Sequence, residues 1–83
     1  MNSQRKAKIK WQSRRGMLEL DLILGRFIET QLDEMSESQL DAFEKLLKCI
    51  DPELFSWLMG YSTPIEKELA TIVEYIRQQD VSR

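Results

Sequence analysis

Trp11, Arg14, Arg15, Gly16, Glu19 and Asp21 fall inside one short stretch, WQSRRGMLELD, and are the side chains of this chain best suited to recognition chemistry. An arginine guanidinium is a planar fork that grips a carboxylate through two parallel hydrogen bonds, and arginine and tryptophan are the residue types that most often carry interface energy. A glycine beside them lets a partner's backbone come close. The same residues also read as helix punctuation. Arg14 and Arg15 suit the negative end of one helix, Gly16 its left-handed stop, and Glu19 the positive start of the next. Spacing alone leaves both readings open.

The rest of the chain offers little catalytic chemistry. Histidine is absent, which removes imidazole acid–base devices and most zinc sites. There is no glycine-rich phosphate loop, no ligand cluster at metal-binding spacing and no serine with a neighbouring base. Glu19 with Asp21, and Asp33 with Glu34, are two apart or adjacent; on a helix such pairs do not face each other, so they read as solvated carboxylates. The single cysteine, Cys49, cannot close an intramolecular disulfide and reads as a buried or half-buried structural thiol of a reducing compartment. The expectation is a protein that is not an enzyme and holds no metal and no stably bound cofactor.

Charge is distributed unevenly behind a net value of −2. Residues 1–15 carry Arg5, Lys6, Lys8, Lys10, Arg14 and Arg15 and no acid, while the remainder carries six bases and fourteen acids. A basic arm on an acidic body fits an acidic protein partner better than nucleic acid, whose phosphates the body would repel. A recognition helix for DNA would also need basic and amide side chains on its outer face, and the later segments are acidic outside. The basic arm is acid-poor, as organellar presequences are, but it runs without a break into the RRG stretch. No apolar run approaches the roughly 18–20 residues that span a bilayer, and no apolar core follows the N-terminal bases. A bacterial cytoplasmic location without membrane insertion is the expectation.

Five helical segments must position these residues. Residues 4–13 form the weakest, because Ala7, Ile9 and Trp11 give no clean helical period. Residues 17–32 carry Leu20, Ile23, Leu24, Phe27 and Ile28 on one stripe, with Gly25 inside it predicting close packing by a neighbouring element. Ser36 with Gln39 reads as a capping box for a helix over 37–49 bearing Leu40, Phe43, Leu46 and Leu47. Asp51 as cap and Pro52 at the first helical position predict a helix over 52–59, with Leu54, Phe55, Leu58 and Met59 inward and Gly60 as its stop. Thr63, Pro64 and Glu66 predict another box and a helix over 64–79 whose stripe is Ile65, Leu69, Ile72, Val73 and Ile76. A frayed tail over 80–83 would follow. With 83 residues and short connections, the chain reads as a single all-α domain, a small five-helix bundle.

Two segments then carry a resemblance. Arg15-Gly16-Met17-Leu18-Glu19 reproduces an R-G-x-x-E motif, with Trp11 before it and Leu20-Asp21 after it. Asp51-Pro52-Glu53-Leu54-Phe55-Ser56-Trp57-Leu58-Met59 matches a D-P-x-L-F-x-W-L-M segment. Together they make the chain, from about residue 5 to 78, resemble the succinate dehydrogenase flavinylation factors, the bacterial SdhE-type proteins and their mitochondrial counterparts. The resemblance implies a five-helix assembly factor that binds the flavoprotein subunit of succinate dehydrogenase, and in many members that of fumarate reductase. It would promote covalent attachment of FAD to a histidine of that subunit. FAD would be carried by the partner. Arg15, Gly16 and Glu19 would form the recognition core, with Arg14, Trp11 and Asp21 as neighbours; Phe55 and Trp57 of the second segment read as core rather than contact, from the apolar face they share with Leu54, Leu58 and Met59. The family has also carried an antitoxin label, which with a nucleic-acid-binding regulator forms the alternative reading. A monomer is the expectation, with the oligomeric state left open.

Overall fold

The element around which the others gather is α2 (Leu18–Gln31), whose expected stripe of Leu20, Ile23, Leu24, Phe27 and Ile28 is buried throughout. The computed structural model describes residues 3–80. In it α1 (Ser3–Gln12) precedes α2, and a 3-10 turn (Leu32–Glu34), α3 (Glu37–Leu47), α4 (Asp51–Leu58) and α5 (Lys67–Asp80) follow. Five α-helices and no strand among the described residues make this the small all-α bundle that the periodicity predicts. Of the expected frayed tail, Asp80 instead closes α5, and residues 81–83 lie outside the described part.

One apolar cluster joins the helices, with α5 packed on α2, α3 and α4. Phe27 stands at its centre, 5.2 Å from the Phe43 ring and edge-on to Tyr75 at 5.4 Å, an arrangement that adds about 0.5–1.5 kcal/mol per pair to the burial itself. The Tyr75 hydroxyl satisfies its polar end by donating to Gln31 Oε1 at 2.8 Å. Phe55 and Trp57 pack against this core half-buried, in the role expected of them.

The helix ends show where local signals decide. The Ser36 box forms in full: the Gln39 N–H donates to Ser36 Oγ at 3.2 Å and the Ser36 N–H donates to Gln39 Oε1 at 2.9 Å. Gly60, with φ +86°, ends α4 through paired bonds from the Gly60 N–H to the Trp57 carbonyl and from the Tyr61 N–H to the Ser56 carbonyl, the two-bond left-handed termination that glycine permits. Asp51 does not cap α4. Ile50 takes that position with no side-chain bond, and Asp51 sits inside the first turn. Its carboxylate is instead bonded elsewhere in the chain, as described below.

Three further expectations are corrected. The Thr63 box does not form, because α5 begins only at Lys67 and its first bond runs from the Ala70 N–H to the Glu66 carbonyl. Pro64 is buried in the connection while Ile65, expected on the core stripe, is fully exposed. Gly25 is not required by packing, since a Cβ built on it meets nothing within 4 Å. The end of α2 and the start of the loop over 33–36 are taken by the 3-10 turn, which buries Leu32 and leads to buried Met35.

The weak periodicity of α1 has a physical counterpart. Ile9 is its one fully buried apolar side chain. The helix is held by charge instead: Arg5 donates to Glu44, Glu37 and Asp41 of α3, at 2.8, 2.8 and 2.5 Å, and Lys6 pairs with Asp33. Half of the N-terminal bases are thereby used inside the fold, counting Arg15 below.

Candidate partner-docking surface

The α1–α2 junction is built by three of the six candidate residues, Gly16, Asp21 and Arg15. Gly16, at φ +81°, makes the left-handed turn. The Asp21 carboxylate, reaching back from the first turn of α2, accepts the Arg15 backbone N–H at 2.8 Å. Met17, the residue preceding α2, offers no side-chain cap, so Asp21 is what fastens the turn to the helix it introduces. Ser13 is buried and its hydroxyl donates to the Lys10 carbonyl at 2.7 Å, closing the end of α1.

Arg15 turns inward. Its guanidinium donates from Nε to Asp51 Oδ1 at 2.8 Å, from Nη1 to the carbonyls of Leu47 (2.6 Å) and Gln12 (3.2 Å), and from Nη2 to the carbonyl of Cys49 at 2.8 Å. The side chain keeps only 16% of its exposure. The fork foreseen for a partner's carboxylate therefore grips this chain's own α3–α4 connection, satisfying carbonyls that a helix end leaves without partners. It also ties together the two segments that carry the sequence resemblance, R-G-x-x-E and D-P-x-L-F-x-W-L-M. Sequence reasoning missed this role for Asp51. The signal lay in the chain as an acid next to the proline, but its partner stands 36 residues away.

The other candidates point outward. Trp11 is 79% exposed, and Arg14, Gly16 and Glu19 are exposed beside it. No ion pair to a described residue engages Arg14 or Glu19. Leu18 and Leu22 add apolar surface at 72% and 50% exposure, and Met17 is exposed as well. Leu22 was not singled out from the sequence, although its i, i+4 relation to Leu18, off the buried stripe, is the available signal. An exposed tryptophan and two exposed leucines in one stretch with an exposed arginine and glutamate have the mixed apolar and charged composition of an interface.

Other chemistry finds little support here. No group of three or more metal-ligating side chains occurs among the described residues. The Cys49 thiol is half-buried, and burial, then the nearby Glu53 and Glu66 carboxylates, push its pKa up, which disfavours the thiolate form that nucleophilic chemistry needs. Of the six N-terminal bases, Lys8, Lys10 and Arg14 are the exposed ones, so the basic arm presents a smaller charge to solvent than its sequence suggests. No helix among the described residues is long and apolar enough to cross a membrane.

Comparison with known proteins gives a consistent result. Residues 7–80 match the family model described as flavinator of succinate dehydrogenase. The FAD assembly factor SdhE of Legionella pneumophila (strain Lens) is 50% identical over 80 residues, 96% of this chain and all of the relative. The protein of the same name from Vibrio cholerae serotype O1 is 42% identical over 98% of this chain and 94% of the relative. The solution structure of a UPF0350 protein superposes with a TM-score of 0.82 at 41% identity, covering 99% of this chain and 87% of that one. A match this long to one family model, with relatives this similar along almost their whole length, means that the chain belongs to the family of flavinators of succinate dehydrogenase.

Proposed function

We propose that this protein is an FAD assembly factor that docks on the flavoprotein subunit of succinate dehydrogenase through the α1–α2 junction and promotes covalent attachment of FAD to that subunit. The observation that carries the docking assignment is the division of labour at the junction. Arg15 and Asp21 brace the turn from within, and the turn presents Trp11, Arg14, Gly16, Leu18 and Glu19 to solvent.

The chemistry divides between the two proteins in the same way. The family resemblance implies attachment of the flavin to a histidine, and this chain contains none, which supports placing the bonding residue and the flavin site on the partner. What this protein supplies is a pre-braced face. Binding energy gained on that face stabilises the arrangement of the subunit in which its nucleophile lies against the flavin, and the catalytic gain is one of orientation. Release follows once the modified subunit no longer favours the bound arrangement. A fumarate reductase flavoprotein is a second substrate under the same chemistry. The bacterial cytoplasm is the place of action in this reading, and the protein acts as a monomer without nucleic acid.

Glu19→Ala tests the assignment. The side chain is exposed, so stability should change by less than about 0.5 kcal/mol while covalent flavin in the co-expressed subunit falls, read as flavin fluorescence of the denatured subunit on a gel. Normal flavinylation by the folded variant would sink the docking assignment.

A further inference from the structure

Gly25 lies in the middle of α2, where a glycine weakens a helix relative to alanine. Nothing inside the protein uses the missing side chain: no atom beyond the adjoining residues and the local helix backbone stands within 4 Å of where its Cβ would be, and its backbone is helical rather than left-handed. The space above it is the floor of a groove of about 800 Å³ between α1 and α2, bordered by Lys10, Arg14, Gly16, Leu22, Ile28 and Glu29. The groove is continuous with the junction, because Arg14 and Gly16 belong to both.

The charges that face it differ between its walls. Lys10 and Arg14 stand on the α1 wall, and neither is in an ion pair with a described residue. On the α2 wall Asp21 already accepts the Arg15 N–H, Arg26 is engaged within the chain, and Glu29 marks the far end, where Lys10 also feels Asp33. The α1 wall is therefore the basic one.

We infer that this groove seats an acidic segment of the partner flavoprotein, whose backbone crosses α2 at Gly25 and whose carboxylate meets Lys10 and Arg14. The inference rests on the docking reading above and extends the contact about two helical turns beyond the motif. A bare helical backbone at the crossing lets the two chains approach more closely than any side chain would allow. The apolar walls at Leu22 and Ile28 supply burial, and the basic lip sets direction and register.

Binding of the full-length variants to the purified flavoprotein subunit, together with thermal unfolding, tests it. Gly25→Ala and Gly25→Leu should both unfold at or above the wild-type temperature, since each is a better helix former. Gly25→Ala should bind within about threefold of wild type, and Gly25→Leu at least about tenfold more weakly because its side chain fills the crossing. Lys10→Glu, an exposed change that leaves packing untouched, should weaken binding and flatten its dependence on salt. Wild-type binding by folded Gly25→Leu overturns the groove, and wild-type affinity and salt response in Lys10→Glu overturn its acidic occupant. If either occurs while Glu19→Ala loses binding, the junction assignment stands alone. If Glu19→Ala also binds normally, both readings fall.

Discussion

Arg15 is the residue whose role differs most from its sequence reading. Its four side-chain hydrogen bonds, one of them an ion pair with Asp51, lie in a site only 16% exposed. Arg15→Ala would leave the Asp51 carboxylate and the Leu47 and Cys49 carbonyls without their donor, a loss of about 2–4 kcal/mol for a charge-assisted network of this kind. Chemical denaturation should report that loss, and flavinylation should fall with it. Glu19→Ala should lose flavinylation alone, so the two variants separate bracing from contact. Gly16→Arg belongs with the first group in part, because φ +81° costs an L-residue about 1–2 kcal/mol before any partner is met. The glycine's left-handed turn was legible in the sequence because a helix stop and a helix start flank it within a few residues. Arg15's inward turn was not, because its partners lie 32 to 36 residues further on and no local rule names them.

Among the elements, α1 is the one that packing alone does not hold. Arg5 and Lys6 bind it to four carboxylates, and the Lys6 ammonium, first by hydrogen bond and then by charge, holds the Asp33 carboxyl below its ordinary value of 3.8. A carboxyl depressed in the folded state contributes stability that is complete above its unfolded value and is lost as pH falls through the folded one. Acidification below about pH 3.8 should therefore loosen the Lys6–Asp33 tie of α1, seen as amide shifts of residues 5–12 moving toward random-coil values while α3 and α5 keep theirs. Simultaneous loss of all helices would contradict this account. The elements that were read correctly carry complete local grammar: the α2 stripe, the Ser36 box, the Gly60 stop. Those misread at their starts, α4 and α5, show acid or hydroxyl residues near a proline whose side chains have other uses or none. Asp51 serves Arg15, and Thr63 lies before a connection in which Pro64, rather than Ile65, is buried.

At the scale of the whole molecule, half of the basic charge of the N-terminal arm is settled internally. Arg5 of the basic arm lies against the acidic face of α3, and of the three bases left outside, Lys10 and Arg14 border the α1–α2 groove. What the sequence could not convey is this pairing, which sets the exposed charge and so the partner.

The Arg15 anchorage has one more consequence, for how the protein opens. A helix-to-helix turn at a surface ordinarily exchanges its amide hydrogens through small local excursions. Here the turn is fastened to the α3–α4 connection, and from there to the buried Leu46, Leu47 and Leu54. It cannot lift without breaking bonds that belong to the body of the fold. The Arg15 amide, bonded to Asp21, should exchange at a rate close to that of amides in α3, and Asp51→Asn should accelerate it while leaving α5 amides slow. A docking face of the kind proposed, protected to the same depth as the core, would keep one shape between encounters, so little of its binding energy would be lost to ordering.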